Sequence, residues 1–486
     1  MSSRLQFLLA FFALVPGVNR AQIISDPPEA HSPITLMAVS DSKTGGGAFS
    51  YEGRQEPPVI RAMLGSSIRI TYKNQMSVTS SEICVSKPCM NMTNLHFHGL
   101  HVSPKSPQDD VLSMMAMPGQ TLEYKVEIPR NQPPGLYWYH THPHGESYQQ
   151  SLDGMSGAIV VEGIDAYVPE IRNLRERILV LRDRVIDEKD PDAQKLRNSV
   201  SMPSARYSAS SEQPERIFTV NGALRPQIPI APGERQFWRI VNASPDLYAD
   251  LQIDGGQFEV VALDGMPLAF HDAIRRVKNA SHVLLAPAGR LEAIVTGPAA
   301  AAKATLRTLC FDTGSAGDPN PEMVLADLIS TTSTEKLSNK AQANTYQPVF
   351  EPISKRKLSA LEQSAPKFTV NFTERDHAFF INNEAYAPSA EPMVRVHVGG
   401  YEHWKVMNNS DEVHPFHIHQ VHFLAYAENG KKQSTPEWLD TVNVPARGSV
   451  DLVMDFSDPI IRGMSLFHCH LLQHEDKGMM AKILFE

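Results

Sequence analysis

A chain of 486 residues is too long for one ordinary core and, at roughly 100–200 residues per domain, is expected to fold as about three domains. Its 42% hydrophobic and 20% charged content is that of a soluble globular protein, and beyond the N-terminus no apolar run is long enough to span a bilayer. A formal net charge of −9 leaves no basic stripe for a phosphate backbone, which removes nucleic acid from the candidate partners.

Residues 1–21 have the make-up of a secretory signal: Arg4 supplies positive charge, residues 7–15 form a short apolar core, and the small residues Gly17 and Ala21 suit a cleavage site. No twin-Arg pair precedes it, so the general secretory route and a periplasmic or secreted location are expected. From there the pattern is all-β. Short runs rich in Val, Ile, Tyr and Phe recur between Gly, Pro, Asn and Asp, as at 67–72, 121–128, 158–162 and 235–242. Three blocks follow, at 30–165, 170–330 and 366–486, each suited to a β-sandwich. The polar stretch 331–365, with Lys355, Arg356 and Lys357, reads as a surface linker, and 187–215 as a loop inside the middle block. Of four cysteines, Cys84 and Cys89 could close a small disulfide in an oxidising compartment, and Cys310 reads as a small buried hydrophobe.

Histidine is where the pattern becomes specific. Four His-x-His pairs occur, His96/His98 and His140/His142 in the first block, His417/His419 and His468/His470 in the third. Side chains two apart on a strand leave the same face and neighbours leave opposite faces, so each pair converges on one side. In an extended 467–471, His468 and His470 point one way and Cys469 the other, and His414, three before His417, can face away from the His417/His419 pair. Parity therefore sorts the ligands into two groups. Cys469 and His414, joined by His474 and Met479, offer a thiolate, two imidazoles and a weak thioether, the donor set of a type 1 (blue) copper site. The eight paired histidines offer imidazole alone, which can hold several coppers with open positions for dioxygen.

The segments His96-Phe-His-Gly99, Tyr139-His-Thr-His142, His414-Pro-Phe-His-Ile-His419 and His468-Cys-His-Leu-Leu-Gln-His474-Glu-Asp-Lys-Gly-Met479 resemble the four copper-binding motifs of multicopper oxidases, in order. The resemblance covers the first and third blocks; in the middle block only length and strand pattern support it. It implies three cupredoxin-like Greek-key β-sandwiches and four coppers per chain. Type 1 copper would sit at His414, Cys469, His474 and Met479, type 2 at His96 and His417, and the type 3 pair at His98, His140, His142, His419, His468 and His470. The middle domain would be a spacer without chemistry. Four one-electron donors would be oxidised at type 1 copper and dioxygen reduced to two waters, the electrons passing through Cys469 to His468 and His470. Glu475 and Asp109 or Asp110 occupy places similar to the family's proton-relay carboxylates. Asp440, in Trp438-Leu-Asp-Thr-Val442, resembles an acid that in bacterial relatives lies near the type 1 histidines and meets the substrate.

The leading expectation for the donor is a phenol or aromatic amine, as in bacterial laccase-like members. The alternative is a cuprous or other metal ion in copper tolerance; residues 366–486 carry no Met-rich insert of the kind such relatives have, and Met90, Met92, Met114, Met115 and Met117 read as packing residues of the first domain. A cupredoxin-fold assembly factor and a copper nitrite reductase are disfavoured because no His or Cys ligand position is missing. Oligomeric state is not legible.

Overall fold

The structure, a computed structural model, describes residues 22–41, 46–77, 91–186, 191, 194–195, 216–271, 276–299, 304–318, 320–330, 353–376 and 378–486. The expected signal segment, Cys84, Cys89 and Met90 lie outside these residues, as does most of the 187–215 loop.

Six sheets form three sandwiches in sequence order. Alternation builds them: along Ser67–Gln75 the residues Ile68, Ile70, Tyr72 and Asn74 are buried and those between are not, so one face enters the core and the other meets solvent. Leu36, Ile70, Phe97, Tyr137 and Ile159, from both sheets of the first sandwich, share one core. Trp238, Leu251 and Leu291 lie in the core of the second, and Trp404, Phe416, Phe467 and Ile483 in that of the third.

The three sandwiches repeat one topology. In each, the opening strand pairs in parallel with a later one of the same sheet, Ile34 with Ile70, Arg175 with Gln236, and Phe368 with Trp404. In each, the closing strand of the opposite sheet again pairs in parallel, Ile159 with Ile60, Asp327 with Gln227, and Ile483 with Val394.

Two long strands of the first sandwich show why some strands are buried on both faces. Gly135–His140 and Ser156–Val161 are buried at every position because both of their faces are covered. Tyr137, Tyr139, Ile159 and Val161 point into their own core, while Leu136, Trp138, Ala158 and Val160 pack on Ile178, Val180, Val241 and Ala288 of the middle sandwich. The sheet that carries the first histidines is therefore clamped from behind.

The 331–365 linker is corrected in part. Residues 331–352 are outside the described range, but Lys355–Gln363 is a helix, capped by Ser354, whose hydroxyl accepts from the Lys357 N–H. Leu358 and Leu361, three apart on one face, pack against Leu424, Tyr426 and Val453. Cys310 is likewise corrected: it is only half-buried, at the end of the strand Ala304–Leu309, and is a free thiol.

Candidate metal centre

Antiparallel pairing brings the four His segments together. His96 lies opposite His140 across one strand pair, and His417 opposite His468 across another. All eight paired histidines are at most 2% exposed. Their donor atoms cluster as His96/His98/His140, His96/His417/His419 and His142/His419/His468, so the two sandwiches share one nest.

Most of the eight rings are held by one nitrogen and present the other, while both nitrogens of His470 are buried without a hydrogen-bond partner. His96 Nδ1 lies 3.0 Å from Asp109, His98 Nε2 3.2 Å from Asp440, and His140, His417 and His468 donate Nδ1–H to the carbonyls of Thr141, Asp440 and Cys469. The opposite nitrogens, His96 Nε2, His98 Nδ1, His140 Nε2 and His417 Nε2, are buried with no hydrogen-bond partner, as is His419 Nδ1. The Nε2 atoms of His142 and His419 lie 3.4 and 3.2 Å from that of His468. Burial and mutual repulsion hold these imidazoles well below the usual histidine range, hence neutral. Neutral rings with fixed tautomers and unpartnered inward nitrogens are costly to bury unless a cation takes them, and so they fit a metal cluster.

Parity sends Cys469 to the other side of the strand Gly463–Cys469. Its Sγ lies 3.5 Å from His414 Nδ1, which in turn lies 3.3 Å from His474 Nδ1. Here too the outward nitrogens are engaged, His414 Nε2 by the Ser410 hydroxyl at 2.7 Å and His474 Nε2 by Glu412 at 3.6 Å. The ring of Phe379 stacks on His474 at 3.9 Å. Met479 is fully buried in the same core cluster as Cys469, and its carbonyl accepts from the Cys469 N–H. Met480 packs separately with Val111 and Leu466. Without a cation, burial pushes the Cys469 thiol up, so a metal would displace its proton on binding.

The expected carboxylates divide. Asp109 is buried, accepts from the Phe97 N–H and from Gln420 Nε2, and is pushed up to about 8 by burial. Asp110 turns away and caps the 110–113 turn through the Ser113 N–H. Glu475 lies 3.2 Å from His468 Nδ1 and 3.6 Å from His142 Nδ1, fully buried, its carboxyl raised by desolvation.

Asp440 requires correction. It is fully buried against His98 and His417 and cannot meet a substrate at the surface. Its two carboxylate oxygens take Nη1 and Nη2 of Arg290 at 2.8 and 2.5 Å, a bidentate clamp that holds it ionised, at about 2. Arg290 comes from the middle sandwich and also donates to the carbonyls of Leu136 and Asp264. Glu292, two residues on, accepts from the Leu136 N–H and from Arg239. The middle sandwich thus reaches the cluster, contrary to its expected role as a spacer. Gly99 permits this approach: a Cβ there would lie 2.5 Å from Asp440 Oδ2.

Arg290, Glu292, Glu412, Gln420 and Asp476 were not singled out from sequence. The signal for the first two was present in Arg-Leu-Glu-Ala-Ile (290–294), where two charges share one face of an otherwise apolar strand. Asp476 joins the sandwiches, accepting from the N–H groups of Gly145, Ser147 and Tyr148.

Two family profiles match the chain, both for multicopper oxidases, over residues 38–165 and 360–486, together more than half of it. Among curated proteins it is 23% identical over 445 residues to multicopper oxidase mco of Staphylococcus haemolyticus, covering 90% of this chain and 83% of that one. It is 25% identical over 398 residues to a laccase of Bacillus subtilis, covering 74% and 72%. Among solved structures it superposes on a multicopper oxidase from Campylobacter jejuni, described as a metallo-oxidase, with TM-score 0.70 and 23% identity over 96% of this chain and 95% of the other. The chain belongs to the multicopper oxidase family: an oxidoreductase that uses copper and dioxygen.

Proposed function

We propose that the protein is a laccase-like oxidase holding four coppers, one at His414, Cys469, His474 and Met479, one at His96 and His417, and a pair at His98, His140, His142, His419, His468 and His470. Bound there, copper would supply one-electron oxidation at the first set and four-electron reduction of dioxygen to two waters at the others. The observation that carries this is the segment His468-Cys469-His470, whose thiol joins one cluster while the flanking imidazoles join the other. Electrons entering at Cys469 need no hop between chains or through solvent.

Donors would approach the Nε2 edge of His474, whose side chain is 9% exposed and lies beside Glu412. Phe379, stacked on that ring, lends the approach an apolar wall suited to a phenol or aromatic amine. A metal-ion donor is the second reading, favoured by the carboxylates of Asp246, Asp318 and Glu374, which lie close enough to add to the burial that pushes Glu412 up to about 9. Met92, Met115 and Met117 are half-buried and Met114 lies in the first core, which suits packing better than metal capture. Residues 1–21 support export. Among the described residues no helix is long and apolar enough to cross a membrane.

Oxygen uptake by the copper-loaded protein, with phenols, aromatic amines, Cu(I), Fe(II) and Mn(II) as donors, tests the proposal. Faster turnover of phenols and amines supports it, and uptake with metal ions alone transfers the case to the second reading. Cys469→Ser should abolish the blue absorbance and the oxygen uptake together; a blue band that survives it refutes the ligand assignment.

A further inference from the structure

A cleft lies where the three sandwiches meet, lined by His101 from the first, Met266, Phe270 and His271 from the second, and His422 and Trp438 from the third. At its inner end His101 Nε2 lies 2.6 Å from His422 Nδ1. His422 Nε2 lies 2.8 Å from the carbonyl oxygen of Asp264 and 3.7 Å from Asp440 Oδ2. Asp440 Oδ1 in turn holds His98. These contacts make a polar line from the cleft to the cluster wall formed by His98 and His417, hydrogen-bonded except for the 3.7 Å step between His422 and Asp440.

The direction of the line is fixed by chemistry. A carbonyl only accepts, so His422 carries its hydrogen on Nε2 and accepts at Nδ1. His101 must then donate from Nε2, which leaves its Nδ1 as the acceptor. Burial lowers both imidazoles, helped at His101 by His422 and at His422 by Arg290, and opposed at both by Asp440. His101 is half-buried and His422 is 1% exposed, so the pair spans the boundary between solvent and interior.

The other walls of the cluster have their own acids, Asp109 against His96 and Glu475 between His142 and His468. At the His98/His417 wall stand the Asp440 carboxylate, clamped by Arg290, and the Thr441 hydroxyl, with the buried Asp264 carboxyl behind them accepting from the Asp440 and Thr441 N–H groups. The imidazole of His422, 3.7 Å from Asp440, links that wall to the cleft.

We propose that His101 and His422 form a proton relay from this cleft to the His98/His417 wall, a conduit in addition to the two carboxylic acids. The inference rests on the reading of the eight histidines as the site of dioxygen reduction. Each dioxygen consumes four electrons, drawn from donors at His474, and four protons, drawn from solvent. For each proton carried, cleft water protonates His101 Nδ1, the Nε2 hydrogen of His101 passes to His422 Nδ1, and the Nε2 hydrogen of His422 crosses toward Asp440 Oδ2. From there the proton would pass the His98/His417 wall to the oxygen being reduced, Asp440 serving to orient His98. Both rings end with hydrogen on Nδ1 and rotate back before the next transfer.

The test uses the copper-loaded full chain as parent, His101→Gln and His422→Gln. After complete reduction and rapid mixing with oxygen, both variants should reoxidise at least about tenfold more slowly than the parent, with a larger solvent deuterium isotope effect. Copper content, blue absorbance and the anaerobic rate of reduction by donor should be unchanged. In the fully reduced state, where Cu(I) is diamagnetic, a strongly deshielded N–H shared by two histidines should appear in nitrogen-filtered proton spectra and vanish in both variants. His101→Gly, which leaves room for the missing ring, should recover rate on addition of imidazole. Reoxidation within about twofold of the parent in both Gln variants overturns the relay. So does a slow variant with an unaltered isotope effect and no imidazole rescue, which marks the pair as structural. If His422→Gln fails to retain copper, the outer-end His101 variants decide. A parent that binds copper without blue absorbance refutes the oxidase reading instead.

Discussion

Glu475 lies between the rings of His142 and His468, and burial raises its carboxyl well above the usual carboxylate range. Glu475→Gln keeps its shape and removes its acidity, so steady-state oxygen reduction should fall by at least about tenfold with the blue absorbance intact; unchanged turnover would take Glu475 out of the mechanism. Asp440→Asn should now act on the cluster and not on substrate affinity: kcat falls while KM for phenols stays, the reverse of what a substrate-facing acid would give. Arg290→Gln leaves Asp440 buried without its counter-charge, at a cost of about 3–5 kcal/mol in denaturant unfolding. Arg290→Lys should recover part of this, because it restores the charge but not the planar fork. The histidine and cysteine clusters were legible because spacing and parity act within a few residues, and each pair carries its own signature. Arg290 was not: its partner is 150 residues away, and a charged side chain in a strand ordinarily faces water. Asp440 was misplaced for the same reason, since two of the groups that hold it, Arg290 and His98, come from other sandwiches.

Strands with one wet face were readable, as Ser67–Gln75 shows, because alternation records which side is dry. Gly135–His140 hides its second dry face, since a strand buried on both sides loses the alternation and its partner lies in another sandwich. The helix Lys355–Gln363 was missed because its apolar stripe amounts to Leu358 and Leu361, too short a repeat to stand out beside three basic residues. Gly135 begins its strand at a point of close approach: a Cβ there would lie 2.4 Å from the Gly265 carbonyl oxygen and 2.7 Å from Glu292. Gly135→Ala should therefore push the first and middle sandwiches apart and cost about 1–3 kcal/mol, read as a lower denaturant midpoint. A midpoint equal to the parent's would show that the contact yields without strain.

Three sandwiches meet at the cleft of His101, His271 and His422, and the acid response of the whole molecule should register there. Burial holds His271 down to about 3, below its unfolded value of 6.5. The stability this provides is present above pH 6.5 and is lost as pH falls through that window, because the unfolded chain binds the proton first. Denaturant unfolding between pH 6.5 and 5 should show a slope shallower in His271→Gln by up to about 1.4 kcal/mol per pH unit; parallel slopes would place the acid response elsewhere. The clamp from Arg290 to Asp440 has a further consequence, for the order in which the protein matures. His414, Cys469, His474 and Met479 all lie in the third sandwich, which can complete that pocket by itself. The eight-histidine nest draws on the first and third sandwiches and is oriented by the middle one. A nascent or partly unfolded chain should therefore turn blue before it can consume oxygen, and colour without respiration would mark a protein whose middle sandwich has yet to dock.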